Sequence, residues 1–513
     1  MRIGIDVGGT NTDAVLMDGA GVKAWCKTPT TSDVETGVIS VLKTVLEDSG
    51  ADASSIHGVM IGTTHFTNAV VERRRLLEVA AIRLGLPATR ALPPFSDWPG
   101  DLANVLGKHS YMLRGGHEFD GREIAPLDEK GLLECIADIK RKGLRTAAIS
   151  SVFSPVQDSM EKRAQEILLN EIPEIRVTAS HEIGRVGFLE RENAAIMNAS
   201  LAELASRVVN SFRAALKRMN ITAPFFISQN DGTLMTPDFV ERYPVLTFAS
   251  GPTNSMRGAA LLAGEKEAMV VDIGGTTSDV GMLLNGFPRE SAVSVDIGGV
   301  RTNFRMPDVL AIGLGGGSLV LDSGGRIGPE SVGYRLTERA LVFGGDTLTT
   351  TDIVVAAGLE DIGDKSAVSR LPKQTIKAAI ARMHAMVDEA VDRMKTSAEP
   401  LPVILVGGGS ILISRDLPSA SRLIRPDHAS VANAIGAAIA QVGGEVDRVY
   451  SLEGTTRDEA LSAARDEASQ RASDAGAKPG TVKIIDIEEV PLAYLPGSAA
   501  RIRVKAVGEL SLR

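Results

Sequence analysis

The sequence predicts an α/β fold of two related lobes, and three observations carry the prediction. Apolar strand-like runs alternate with amphipathic helical patterns along most of the chain. A nine-residue pattern that begins at Ile5 returns at Val271, 266 residues later and about half the chain away. The length of 513 residues exceeds the roughly 100–200 residues of one domain. Glycine is the informative excess, at 52 residues, beside only 4% aromatic. Hydrophobic residues at 44% and charged residues at 23% are ordinary for a globular protein and argue against disordered or fibrous classes. The 55 Lys+Arg against 64 Asp+Glu leave a net charge of −9, which argues against a nucleic-acid partner. Cys26 and Cys135 form no metal or redox spacing and read as reduced thiols. No signal-peptide pattern opens the chain and no apolar run reaches about 18 residues, so a cytoplasmic protein without a membrane partner is expected.

The elements follow in order. Residues 3–7 form a short apolar strand, a glycine turn follows, and a second strand runs through Ala14–Met17 to the hairpin turn Asp18-Gly19-Ala20-Gly21. Residues 35–48 read as a helix, Gly58–Gly62 as a strand ending in Thr63-Thr64, and Val79–Leu84 and Ala147–Phe153 as buried strands. Helices are predicted over Ser159–Leu169 and, as one long element, over Glu190–Lys217. In the second half, the strands Ala268–Ile273 and Asp279–Leu284 flank Gly274-Gly275, and Asn285-Gly286 makes the next hairpin turn. A helix over 373–395, a strand Leu401–Val406 and a small-residue helix over 429–441 follow. The tail predicts a helix Arg457–Ala472 and strands Val482–Ile487 and Arg501–Val507, as a small α+β appendage. The expected division is a first lobe at 1–180, a second at 181–445 and the appendage at 446–513.

The repeat carries the chemistry. Ile5-Asp6-Val7-Gly8-Gly9-Thr10-Asn11-Thr12-Asp13 and Val271-Asp272-Ile273-Gly274-Gly275-Thr276-Thr277-Ser278-Asp279 share one pattern: apolar, Asp, apolar, Gly-Gly-Thr, any residue, Ser/Thr, Asp. A Gly-Gly turn lets backbone N–H groups converge on an anion, because no Cβ blocks the approach. The hydroxyls can donate to phosphate oxygens. An aspartate at the strand end repels phosphate but can hold Mg²⁺ directly or through water. Two such turns face to face would grip the phosphates of a nucleotide. Asp6, Asp272, Thr10 and Thr276 are therefore the candidate catalytic residues, with Asp6 and Asp272 also near Mg²⁺. Gly8, Gly9, Thr12, Gly274, Gly275 and Thr277 are candidate phosphate contacts, while Asp13 and Asp279 are expected to brace the turns. The strand ending in Gly407-Gly408-Gly409 is the candidate nucleoside wall, and Gly315, Gly316 and Gly317 form a fourth candidate run. Thr63, Thr64 and Asn68 lie on a strand-to-helix turn, which favours an anion such as a γ-phosphate or a substrate group. Asp296-Ile297-Gly298-Gly299 lacks the Thr and the last Asp and reads as local sheet structure.

Two Asp-x-Gly-Gly-Thr turns followed by Val406-Gly407-Gly408-Gly409 resemble the actin/hexokinase/heat-shock-70 ATPase superfamily, with its duplicated, ribonuclease H-like lobes. Within it, the chain resembles the hydantoinase/oxoprolinase family, A-type subunit, through Gly62-Thr63-Thr64 with Thr67-Asn68, Glu118–Glu123, Ser180-His181-Glu182, Glu190-Arg191, Ala249–Pro252, Gly313–Ser318, Gly345-Asp346 with Thr351-Asp352, and Gly407–Ser410. The resemblance implies ATP and Mg²⁺, phosphorylation of the carbonyl oxygen of a cyclic amide such as a hydantoin or 5-oxoproline, and ring opening by water with a B-type partner subunit. Related complexes carboxylate ketones by analogous activation. A homo-oligomer is compatible with this reading. Asp308-Val309-Leu310 departs from the Asp-x-His of many members, and the long C-terminal extension of many members is not in the sequence. His65-Phe66 stand inside the Gly-Thr-Thr-x-x-Thr-Asn segment, where His65 is a candidate substrate contact. Two other classes stay open at this level: a small-molecule kinase of the same fold, and a nucleotide-switched assembly or binding protein.

Overall fold

The computed structural model describes residues 1–31, 33–291, 295–304, 306–452, 455–492 and 499–512. It is a two-lobed α/β fold built on a duplication that the strand register makes explicit. Arg2–Val7 pairs antiparallel with Asn11–Asp18, with Asp6 opposite Asp13, and parallel with Gly58–Thr63. Ala268–Ile273 pairs antiparallel with Ser278–Leu284, with Asp272 opposite Asp279, and parallel with Leu401–Val406. The apolar residues that alternate with Asp6 and Asp272 are fully buried or nearly so, which pins each register to one face of its sheet.

The first lobe is a nine-stranded sheet. From one edge it runs Lys483–Leu492, Ala499–Gly508, Gln441–Ser451, Thr233–Met235, Phe225–Ser228, Gly58–Thr63, Arg2–Val7, Asn11–Asp18 and Gly21–Pro29. The second lobe has a six-stranded sheet around Ala268–Ile273, packed on the helix Lys373–Met394. A third, wholly parallel sheet, His109–Arg114, Val79–Leu86, Thr146–Ser151 and Arg176–Ala179, stands beside the first with its own core. Asp296-Ile297-Gly298-Gly299 belongs to a small hairpin of Val295–Ile297 and Val300–Thr302.

Two predicted helices are each divided in the structure, and the sheets cross the expected lobe limits. The boundaries at 180 and 445 do not follow the sheets: Phe225–Ser228 and Thr233–Met235 pair in the first sheet, and Gln441–Ser451 runs across 445 into it. The α+β tail is joined to the first lobe. Its two strands extend the first sheet, and the helix Arg457–Asp474 seals them with Ala460, Ala464, Ala468 and Ala472, a stripe at spacing four that lets the helix lie close to the strands. The long helix at 190–217 is two helices, Phe188–Ser200 and Ala202–Arg218. There the Ser200 carbonyl accepts from Leu77 N–H at 2.9 Å, outside the helical ladder. Likewise the helix at 429–441 is a 3₁₀ turn, Ala429–Val431, followed by the helix Ala432–Ala438.

This short helix positions the site. It crosses the helix Ser250–Ala263 so closely that a Cβ on Gly258 would collide with the backbone of Ala432, and one on Gly436 with the backbone of Asn254. Only glycine permits that backbone-to-backbone approach. In the chain this helix follows Ala420–Ile424 of the second sheet and precedes Gln441–Ser451 of the first, so the crossing sits where the chain passes from one lobe to the other.

Candidate functional site

Both glycine turns open onto one cavity of about 300 Å³ between the lobes. Asp6, Gly8, Gly9, Thr10 and Asp13 line it from the first lobe, and Asp272, Gly274, Gly275, Thr276, Thr277 and Asp279 from the second. The turns have the same internal bond: Gly8 N–H donates to Asn11 O at 3.0 Å, and Gly274 N–H donates to Thr277 O at 2.9 Å. That bond closes each turn and leaves Gly9, Thr10, Gly275 and Thr276 exposed at the tips. Gly407 and Gly408 complete the wall. Gly407 adopts φ +80°, and a Cβ there would strike Asp272 and the Ile273 carbonyl.

Four carboxylates face this cavity against one lysine, Lys27. Burial, then the charge of Asp13, pushes the Asp6 carboxyl up to about 7, against the opposing effects of Asn433 and Lys27. Burial, then Asp272, pushes Asp279 up to about 7 as well. Burial also raises Asp272 and Asp13, the latter in spite of Lys27 and Asn433. Oδ1 of Asp6 and Oδ1 of Asp13 are buried with no hydrogen-bond partner among the described residues. Buried acceptors without donors, in a surplus of negative charge, fit a cation. No group of three or more His, Cys, Asp or Glu is assembled as a metal-ligand set among the described residues. Mg²⁺ takes one or two carboxylates and completes its shell with water and phosphate oxygens.

Sequence reasoning missed the residues that hold these carboxylates. Asn433 Nδ2 donates to Asp6 Oδ2 and to Asp13 Oδ2, each at 2.9 Å. Lys27 Nζ donates to Asp13 Oδ2 at 3.0 Å and to Ser430 O at 3.0 Å. Asp13, expected as a brace, is thus both braced and on the cavity wall. No local pattern marks Lys27 or Asn433, since both reach the site only through tertiary packing. Ser255, Gly251 and Pro252 also line the cavity, from the start of the helix Ser250–Ala263.

Several predicted contacts lie elsewhere. The amides of Gly315, Gly316 and Gly317 donate to Ser318 Oγ, Gly274 O and Gly275 O, so the run buttresses the second turn from behind and has no amide left for a ligand. The Thr12 hydroxyl is 3.1 Å from Thr30 Oγ1, and Thr12 does not line the cavity. Gly409 is buried behind the wall, with its N–H on Ile273 O at 2.8 Å. Thr277 lines the cavity. Thr63 Oγ1 pairs with His65 Nδ1 at 2.6 Å, and burial, then the charge of Arg75, lowers the His65 pKa to about 4, which keeps the imidazole neutral. Thr64 occupies the N-cap of the helix His65–Glu72 without a side-chain cap bond. Asn68 Nδ2 donates to Thr64 Oγ1 at 3.3 Å, and a Cβ on Gly9 would stand 3.6 Å from that Nδ2. Thr64 and Asn68 therefore flank the first turn without lining the cavity itself. Asp308, beside the departed Asp-x-His position, pairs with Arg289 at 2.6 Å.

Residues 2–172 match the family model described as hydantoinase/oxoprolinase N-terminal region, and residues 191–361 match the one described as hydantoinase/oxoprolinase. An uncharacterized protein of Methanocaldococcus jannaschii is 26% identical over 77% of this chain and 62% of its own length. The caprolactamase subunit alpha of Pseudomonas jessenii is 27% identical over 70% of this chain and 54% of its own. The acetophenone carboxylase gamma subunit of Aromatoleum aromaticum is 25% identical over 69% and 53%. The matched region thus spans between half and two thirds of the length of these relatives. In fold, the chain is similar to the crystal structure of the ATP-dependent caprolactamase from Pseudomonas jessenii, with a TM-score of 0.82 at 20% identity over 100% of this chain and 88% of that one. It is also similar to nucleotide-free acetone carboxylase, with a TM-score of 0.68 at 17% identity over the same shares. No helix among the described residues is long and apolar enough to cross a membrane.

Proposed function

The chain belongs to the hydantoinase/oxoprolinase family, and from that premise we propose that it binds ATP with Mg²⁺ between its lobes and activates a cyclic amide for ring opening, together with a partner subunit. The observation that carries the reading is the pairing of two duplicated glycine turns on one cavity with four carboxylates. Exposed amides and hydroxyls supply donors for phosphate oxygens, and the carboxylates supply the charge for a divalent cation. When bound, ATP supplies the phosphoryl group that turns an inert amide oxygen into a leaving group.

The chain's own residues do the positioning, which is the main contribution a protein makes to phosphoryl transfer. Gly9, Thr10, Gly275 and Thr276 hold the phosphates from opposite sides. Asp6 and Asp272 hold the cation, with Asn433 and Lys27 keeping the Asp6–Asp13 pair in place. Gly407 and Gly408 leave the nucleoside room to lie against the second sheet.

The test is ATP hydrolysis by the purified chain with a panel of lactams and hydantoins, alone and with a B-type subunit. Lactam-stimulated release of ADP and free phosphate with a ring-opened acid is expected. A stable phosphorylated product would assign a kinase instead, and slow turnover indifferent to every lactam would assign a nucleotide-switched binding protein.

A further inference from the structure

The two oxygens of Asp6 are treated differently by the fold. Oδ2 accepts from Asn433, on the helix Ala432–Ala438, whereas Oδ1 is buried with no hydrogen-bond partner among the described residues. A second asparagine stands beside that oxygen. Asn254, on the helix Ser250–Ala263, is 1% exposed. Its Nδ2 and its Oδ1 are both buried without a partner among the described residues. A primary amide carries two N–H donors and an oxygen that accepts twice. Leaving all of them unpaired in the interior costs stability, and an apolar residue of the same shape would avoid that cost. Packing therefore does not account for an amide at this position.

Gly62 locates the two groups relative to each other. It is the parallel register partner of Asp6. A Cβ on Gly62 would stand 2.4 Å from Asp6 Oδ1 and 2.6 Å from Asn254 Nδ2. Donor and acceptor thus converge on one point, no further apart than a single bridging water spans. Any side chain larger than glycine would fill that point.

The backbone that carries Asn254 is fixed by the helix crossing. A Cβ on Gly436 would stand 1.8 Å from the Asn254 carbonyl oxygen, and Gly436 lies one helical turn after Asn433. The two crossing helices therefore each bring one asparagine to Asp6. The next residue, Ser255, lines the glycine-turn cavity, but Asn254 does not. Asn254 is placed to act through Asp6, from beneath the cavity floor, and not on a ligand.

We infer that Asn254 is a positioning residue for Asp6: its Nδ2 holds Oδ1 while Asn433 holds Oδ2, so the carboxylate meets a cation in one fixed orientation. A carboxylate oxygen can accept twice, so Oδ1 keeps a lone pair for the cation. The purpose of this contact rests on the ATP and Mg²⁺ reading, whereas the contact itself is measurable without nucleotide.

The test compares the full chain with Asn254→Leu, which keeps the volume and removes the amide, with Asp6→Asn, and with the double variant. Without nucleotide, the shifts in urea midpoint of the two single variants are expected not to add, because residues that share a contact are coupled. With Mg²⁺ and a non-hydrolysable ATP analogue, calorimetry is expected to show Mg²⁺-dependent binding about tenfold or more weaker in Asn254→Leu, as loss of a hydrogen bond to a charged group predicts. The melting temperature of that variant is expected to equal or exceed that of the parent chain. Asn254→Ala replaces it in the urea cycle if the leucine variant does not fold. Additive shifts would overturn the contact. Undiminished binding, or a loss of binding matched by a fall in melting temperature, would overturn the positioning role. A parent chain that binds no Mg²⁺ and analogue would sink the proposed function instead, with the urea cycle still deciding the contact.

Discussion

Asp6 is where the electrostatics of the glycine-turn cavity converge. Its carboxyl titrates near 3.8 in the unfolded chain and is pushed up to about 7 in the folded one, first by burial and then by Asp13. The folded state therefore holds a proton that the unfolded chain has released. That contribution to stability is complete below the unfolded value and is lost as pH rises through the folded one. A bound cation displaces the same proton, so its affinity rises over the interval in which ligand-free stability falls. Calorimetry with Mg²⁺ and a non-hydrolysable ATP analogue is expected to show binding that strengthens up to about pH 7 and then levels. Asp6→Asn should raise the melting temperature of the ligand-free protein at alkaline pH and remove that binding. Asn433 donates to both Asp6 and Asp13, so Asn433→Leu should move the midpoint of the binding profile to higher pH. Asp272→Ala should lower ATP turnover by roughly 100-fold or more, as removal of a group stabilising reaction charge does, with the far-ultraviolet dichroism unchanged. Near-normal turnover in that variant would sink the two-turn reading.

At the scale of elements, the helix Ala432–Ala438 does the most with the least sequence signal. Its small residues let it lie against the helix Ser250–Ala263, and that contact carries Asn433 to the paired aspartates. Gly436→Ala should cost roughly 1–3 kcal/mol in urea unfolding, the usual penalty of overpacking, and should also weaken nucleotide binding by displacing Asn433. The glycine turns themselves were legible, because a strand, two glycines and a threonine encode their geometry locally. The run at Gly315–Gly317 looks the same in sequence, but its amides are consumed by the second turn. Composition identifies a glycine-rich loop, whereas the direction of its N–H groups depends on which backbone it packs against. The helix break after Ser200 is of the same kind, since the competing donor, Leu77, is remote in sequence.

At the scale of the molecule, the two lobes meet at a crossing of small-residue helices, and the glycine-turn cavity lies between them. On the proposed function, closure of the lobes over the phosphorylated amide would exclude water. Small-angle scattering is expected to show a smaller radius of gyration with Mg²⁺ and the ATP analogue than without, and no compaction would count against closure. The tail belongs to this scale too. Gln441–Ser451 and the two strands after it complete the first sheet, so the last part of the chain closes the lobe that the first part begins.

By itself the sequence determined the α/β class, the duplication, the family and the two glycine turns, because each is written in a contiguous stretch whose pattern and local geometry are one and the same. Only the tertiary structure decided the sheet to which the tail belongs, the partners that hold Asp6 and Asp13, and which of the threonines and glycines line the cavity. Those depend on long-range pairing, where residues hundreds of positions apart compete for the same hydrogen bond, and no local pattern records the winner.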